Sequence, residues 1–192
     1  MNDLFEKEAL PWIDEVEGHK LTNDPNDRGG ATKYGISLRY LKNVPDHDGD
    51  GFLDGDLDHD GDVDEDDIRL LTPAHRAERY ENDFWLAAKC NEMPRHVALC
   101  LLDCMIQHKP KTAKMLIQRG LGVKADGIIG TKETIPAAMK SNPLQFVQEH
   151  LSYRAQFYHD IVVSNSTQAE WLRGWLRRCF LLEQYILTGR LS

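Results

Sequence analysis

Residues 46–67 read DHDGDGFLDGDLDHDGDVDEDD, in which twelve of twenty-two side chains are carboxylates and none is Lys or Arg. Charges of one sign at this density repel one another out of any compact structure unless a cation sits among them. The register points to the cation. Asp56, Asp58 and Asp60 take positions 1, 3 and 5 of a twelve-residue loop. Gly61 takes position 6, where the chain must turn sharply, and Val63, Asp64 and Asp67 take positions 8, 9 and 12. That is the EF-hand calcium pattern, ending on Asp instead of the usual Glu. Calcium is a hard ion that takes six to eight oxygens, and the expected metal residues are Asp56, Asp58, Asp60, Asp62, Asp64 and Asp67. Asp46, Asp48, Asp50 and Asp54, with Gly51, open a second loop in the same register, but its twelfth position would be Leu57, which cannot ligate. A weaker or absent second site is expected there.

The formal net charge of the 192-residue chain is −8, yet outside 46–67 there are 19 acids against 23 bases, a net +4. A mildly basic body suits an anionic partner such as a cell-wall polymer or a lipid headgroup; nucleic acid is not expected. Apolar residues make up 41% of the chain, enough for a sizeable core. Cys90, Cys100, Cys104 and Cys179 are too few for a disulfide framework at this length, and Cys100 and Cys104 fall one helical turn apart in an apolar stretch, as buried free thiols do. The N-terminal residues show neither a basic region nor an apolar run of the Sec type. No run of about 18 apolar residues occurs. Synthesis in a cytosol without the usual export route is the expectation.

Leu4, Phe5, Leu10, Trp12, Ile13 and Val16 recur at near-helical spacing over 2–18, with Pro11 interrupting them. Residues 22–37 are dense in Asn-Asp-Pro, Asn-Asp and Gly-Gly and predict a structured loop with short strand pieces around Thr32–Ser37. Thr72-Pro73 starts a helix, with Thr as its cap and Pro at its first position, running to about Trp85. Further helices are predicted at about 94–108, 111–120, 131–140, 143–161 and 167–188. The class is mainly α with a small irregular or β region.

Glu17 closes the first helix and runs into the turn-rich loop. A carboxyl at such a place suits general acid work, since partial burial keeps a carboxyl protonated. Glycoside hydrolysis needs two carboxyls across a cleft. One protonates the leaving oxygen; the other activates water or steadies the charge on the sugar. Asp24 and Asp27 are candidates for the second role, and the Thr32 hydroxyl could hold the water. On spacing alone the signal is weak, since a Glu at a helix end is usually solvated and an Asp in an Asn-Asp-Pro turn usually forms an Asx-turn.

Glu17-Gly18 followed by Asn23-Asp24-Pro25-Asn26-Asp27-Arg28-Gly29-Gly30-Ala31-Thr32-Lys33-Tyr34-Gly35-Ile36-Ser37 resembles the opening motif of glycoside hydrolase family 108, which comprises phage endolysins and related muramidases. Tyr80, Asp83-Phe84-Trp85 and Cys90 to Pro94 resemble the helix that follows in that family. Leu116-Ile117-Gln118 through Val123, then Asp126-Gly127 and Gly130, resemble its C-terminal part, often labelled peptidoglycan-binding. The resemblance implies a lysozyme-like α fold and cleavage between N-acetylmuramic acid and N-acetylglucosamine. Glu17 maps onto the catalytic acid; by analogy with phage-type lysozymes, Asp27 and Thr32 map best beside it, with Asp24 close behind. This chain departs from the pattern in three places. His19 replaces a second Gly, the acidic segment is inserted before Thr72, and residues 102–109 differ from the family's helix.

The expected organisation is a catalytic lobe over 1–95, carrying the 46–67 insert, and a helical lobe over 96–192, both parts of one lysozyme-like domain. The expected partner is peptidoglycan, reached from the host cytoplasm once a holin has permeabilised the inner membrane, and the expected state is a monomer. Trp171, Trp175 and Phe180 alternate with Arg173, Arg177 and Arg178 near the C-terminus. Such a helix could meet an anionic membrane or lipopolysaccharide, though its wide apolar stripe is that of a core helix. Two rival functions remain: a lytic transglycosylase on the same fold, and a dockerin-like, calcium-dependent interaction module with no catalysis.

Overall fold

Among the described residues the chain is mainly α-helical, with one two-stranded hairpin. The computed structural model describes residues 3–17, 21, 30–46 and 49–190. A π-helical turn, Phe5–Ala9, runs into α1 (Leu10–Glu17). Strands β1 (Thr32–Lys33) and β2 (Ile36–Ser37) pair antiparallel, with Thr32 opposite Ser37 and Lys33 opposite Ile36. Ser37 caps α2 (Leu38–Leu41), its hydroxyl accepting the Tyr40 N–H at 3.2 Å. The acidic loop leads into α3 (Glu65–Leu70). Helix α4 (Pro73–Arg79) starts as predicted: the Thr72 hydroxyl accepts the His75 N–H at 3.2 Å and Pro73 takes the first position. It continues as a π-helical stretch, Tyr80–Leu86. Helices α5 (Arg95–Gln107), α6 (Pro110–Gly120), α7 (Thr134–Lys140), α8 (Pro143–Ser164) and α9 (Ala169–Thr188) follow the predicted series closely.

The chain forms two compact units, Met1–Trp12 with Glu81–Ser192, and Ile13–Tyr80. In the first, ten consecutive residues of α5, His96 to Met105, are buried. A helix buried all round is one covered on every side, here by α6, α8 and α9. Gly120 lets α6 meet α8 backbone to backbone, since a Cβ there would come within 2.8 Å of His150 Cβ. Asp103, fully buried on α5, accepts Trp12 Nε1–H at 2.8 Å, Arg154 at 2.5 Å and Arg178 Nε–H at 2.8 Å. Burial alone would raise its pKa, but Arg178 and Arg154 outweigh burial and hold it well below the usual carboxylate range. The four thiols are free and buried, as expected for Cys100 and Cys104; burial pushes that of Cys104 up to about 12, which makes it inert.

The second unit has its own small core of Ile13, Ile36, Leu41, Val63, Ile68 and Leu71. Val63, the apolar position of the acidic loop, is thus used for packing. Arg79 Nη1 donates to Asp54 at 2.8 Å with both side chains largely buried, tying the acidic segment to α4. Gly55 passes so close to α2 that a Cβ would lie 2.3 Å from the Leu41 carbonyl oxygen.

Candidate active site

Glu17 is the last residue of α1 and is half-buried. The hairpin turn folds against its side chain. Gly35 has φ +76°, and a Cβ there would lie 2.5 Å from the Tyr80 hydroxyl oxygen and 3.0 Å from Glu17 Cβ. Only glycine meets both the left-handed backbone and the crowding. Tyr34, the other central residue of the turn, has φ 56°, so both take the positive φ of a type I′ hairpin. For an aromatic residue this is strained backbone of the kind that gathers at functional sites.

Tyr80 is 2% exposed at the junction of α4 with its π-helical continuation, and such π turns recur at functional sites. One turn earlier, the Arg76 guanidinium lies over the Tyr80 ring, 5.6 Å from its centroid. Arg76 also ion-pairs with Asp14, one turn before Glu17 on α1. The α4 helix therefore grips the last turn of α1 through an ion pair and fills the space behind Gly35 with a phenol. Thr32 stands on β1 of the same hairpin, its hydroxyl donating to the Gly30 carbonyl at 3.3 Å. Asp24 and Asp27 lie outside the described residues, and the described geometry is that of the glutamate side of the expected pair. A half-buried carboxyl on a held helix end, walled by a rigid turn, can deliver a proton to a bound oxygen.

In the acidic loop, Asp56 (3% exposed) accepts the Asp60 N–H at 3.2 Å and the Gly61 N–H at 3.0 Å. Carboxylate oxygens of Asp56, Asp58 and Asp60 lie within 4.8 Å of one another. Two oxygens bound to one calcium are at most about 5 Å apart, so these three fit a single ion. Crowding is visible in the protonation equilibria. The Asp58 pKa is raised by desolvation among its neighbours and then by Asp60, and that of Asp62 chiefly by Asp60. Asp64 caps α3, and Asp67 (1% exposed) closes the loop by accepting the Leu57 N–H at 2.6 Å and the Asp64 N–H at 2.7 Å. The structure thus gathers three of the six expected acids and engages Asp64 and Asp67 with backbone. Among the described residues of 42–55, between α2 and Asp56, none is helical, so no helix leads directly into the loop.

The half-loop before it repeats part of this hydrogen bonding, the bond from the glycine five residues on among it. Asp46 accepts the Gly49 N–H at 2.6 Å and the Gly51 N–H at 3.1 Å, and Asp50 accepts the Phe52 N–H at 2.9 Å. Asp48 lies outside the described residues. Asp54 is paired with Arg79, which accounts for its carboxylate. Sequence reading assigned no role to Asp14, Arg76 or Asp103. Their partners lie 62 residues away for Asp14 and Arg76, and 51 and 75 away for Asp103, beyond the reach of local patterns.

Residues 10–108 match the family model described as Glycosyl hydrolase 108, and residues 112–180 match one described as Predicted Peptidoglycan domain. Among solved structures, SagA of Brucella abortus is similar over 93% of this chain and 91% of its own, at 24% identity and a TM-score of 0.71. No curated protein matches the chain. The likeness to SagA bears out the mainly α, lysozyme-like fold.

Proposed function

The chain belongs to glycosyl hydrolase family 108 and is a peptidoglycan-degrading glycoside hydrolase; from that premise we propose that it is an N-acetylmuramidase, cutting the β-1,4 bond between N-acetylmuramic acid and N-acetylglucosamine with Glu17 as general acid. The observation that carries this reading is the seating of Glu17 against Gly35 and Tyr80. Glu17 protonates the leaving glycosidic oxygen; Asp27, or failing it Asp24, activates water or steadies the positive charge on the sugar, with Thr32 holding the water. The biological setting that fits is host lysis by a phage endolysin. Such an enzyme is made in the host cytoplasm, acts as a monomer, and reaches the wall after another protein has permeabilised the inner membrane. Exposed Phe180, on one face of α9 with exposed Arg173 and Arg177, is the place where an anionic membrane or lipopolysaccharide would be met.

Calcium is part of the proposal. Asp56, Asp58 and Asp60 would hold it, with Asp62, Asp64 and Asp67 completing the loop, and the ion would neutralise the segment. The packing of α3 on β1 supports a coupling between this loop and the hairpin at Glu17.

Digestion of purified peptidoglycan by the wild type and by Glu17→Gln, with mass spectrometry of the products, tests the reading. New reducing muramic ends from the wild type alone are expected. A 1,6-anhydro product would replace the muramidase by a lytic transglycosylase, equal digestion by both proteins would remove Glu17 from the mechanism, and no digestion by either would leave a calcium-dependent interaction module.

A further inference from the structure

A cleft of about 330 Å³ opens in the C-terminal helical part, within the size range of ligand pockets. Gly120 at the end of α6, Lys140 at the end of α7, and Ser141, Asn142, Gln145 and Phe146 at the start of α8 line it. Its walls are held in place. The Ser141 hydroxyl donates to the Ala138 carbonyl at 2.6 Å and meets His96 Nε2 at 2.8 Å. The Asn142 side chain accepts the Gln145 N–H at 3.1 Å, and Gly120 is pressed against His150. Lys140 and Gln145 are exposed at the rim.

Of the residues that line the cleft, Lys140 is the one that carries a charge. Residues 109–140 hold seven Lys and Arg against Asp126 and Glu133, a net +5 in a chain whose total is −8. A polar cleft that carries a Lys at the end of a basic segment suits an anion. In peptidoglycan the sugars are largely uncharged, and the free carboxylates belong to the peptide stems attached to them. We propose that this cleft binds a free carboxylate of a peptide stem, with Lys140 as counter-charge and the amides of Asn142 and Gln145 as hydrogen-bonding groups. The proposal rests on peptidoglycan being the substrate, and it gives the enzyme a second point of recognition that reads peptide instead of sugar.

The test is NMR titration of the full chain with three probes: a synthetic sugar-free stem tetrapeptide, the same peptide with its carboxyls amidated, and peptide-free glycan. The acidic peptide is expected to shift the amides of Gly120, Lys140, Ser141, Asn142, Gln145 and Phe146. Amidation and Lys140→Glu are each expected to weaken binding by about ten-fold, the size of one charge-assisted hydrogen bond. Melting temperatures identify any misfolded variant, and Gln145→Ala, at an exposed position, provides an independent weakening. No shift at these amides, equal binding of the amidated peptide, or the same shifts from glycan alone would overturn the proposal. Hydrolysis of peptide-free glycan, measured separately, reports on the muramidase reading: Lys140→Glu should leave it unchanged, and its absence from the wild type would sink that reading while the peptide titration still stands as a result.

Discussion

Gly35 is where a single methyl group decides the site. Gly35→Ala would drive a Cβ into the Tyr80 hydroxyl and the Glu17 stem while keeping an unfavourable φ of +76°. A loss of about 1–3 kcal/mol is expected from strain at such a position, with hydrolysis falling as Glu17 is displaced. Tyr80→Phe in the same chain removes the 2.5 Å contact and should recover part of the stability but not the backbone term. Chemical denaturation of the single and double variants checks this; an unchanged midpoint for Gly35→Ala would mean that the turn does not pack against Glu17. Asp103 is the other residue of this weight. Asp103→Asn leaves Arg154 and Arg178 buried without a full counter-charge, a change that costs about 3–5 kcal/mol. Because the folded-state pKa of Asp103 is depressed, its contribution is present above the unfolded value of about 3.9 and is lost as pH falls below it toward the folded value. The stability gap between wild type and variant should therefore be flat above about pH 4 and narrow below it; urea titrations across that range measure it.

At the scale of elements, the acidic loop and the hairpin are neighbours. Lys33 on β1 donates Nζ–H to the carbonyl of Arg69 on α3 at 2.5 Å, and Asp54 is tied to α4 by Arg79. Calcium binding would stabilise the loop by mass action, and its removal would leave twelve acids within twenty-two residues to repel one another. Chelation is expected to lower the melting temperature and, through α3 and β1, the lytic rate. Asp56→Asn should make the melting temperature insensitive to chelator. A fall in melting temperature with an unchanged rate would mean that the ion clips the loop without bearing on the Glu17 hairpin.

For the whole molecule, acid sensitivity follows from buried imidazoles as well as from carboxylates. Burial, followed by the Arg154 charge, lowers the pKa of His150 to about 3 and that of His108 to about 4. The folded chain keeps both rings neutral, whereas the unfolded chain protonates them near pH 6.5, so stability declines as pH falls from that value. Each ring adds a slope of at most about 1.4 kcal/mol per pH unit. Denaturation midpoints of His150→Gln between pH 7 and pH 4 should fall less steeply than those of the wild type, even if the variant is less stable at pH 7. Parallel slopes would show that His150 protonates equally in both states.

Local chemistry was enough to mark out several parts of this protein. Alternating Asp with Gly61 and Val63 marked out the acidic loop for which calcium is proposed, and Thr72-Pro73 marked a helix start. Apolar spacing placed α5 to α9, and the Glu17 to Ser37 motif pointed to the family. These signals were legible because caps, turns and periodicity act over a few residues. Packing alone decided that the Gly35 turn closes on Glu17 and Tyr80, that three acids of the loop converge while Asp64 and Asp67 serve the backbone, and that Asp103 anchors Trp12, Arg154 and Arg178. Each of those outcomes depends on distances of a few ångströms, and in most the partners lie many residues apart. Such distances are set by how helices settle against one another and leave no periodic trace along the chain.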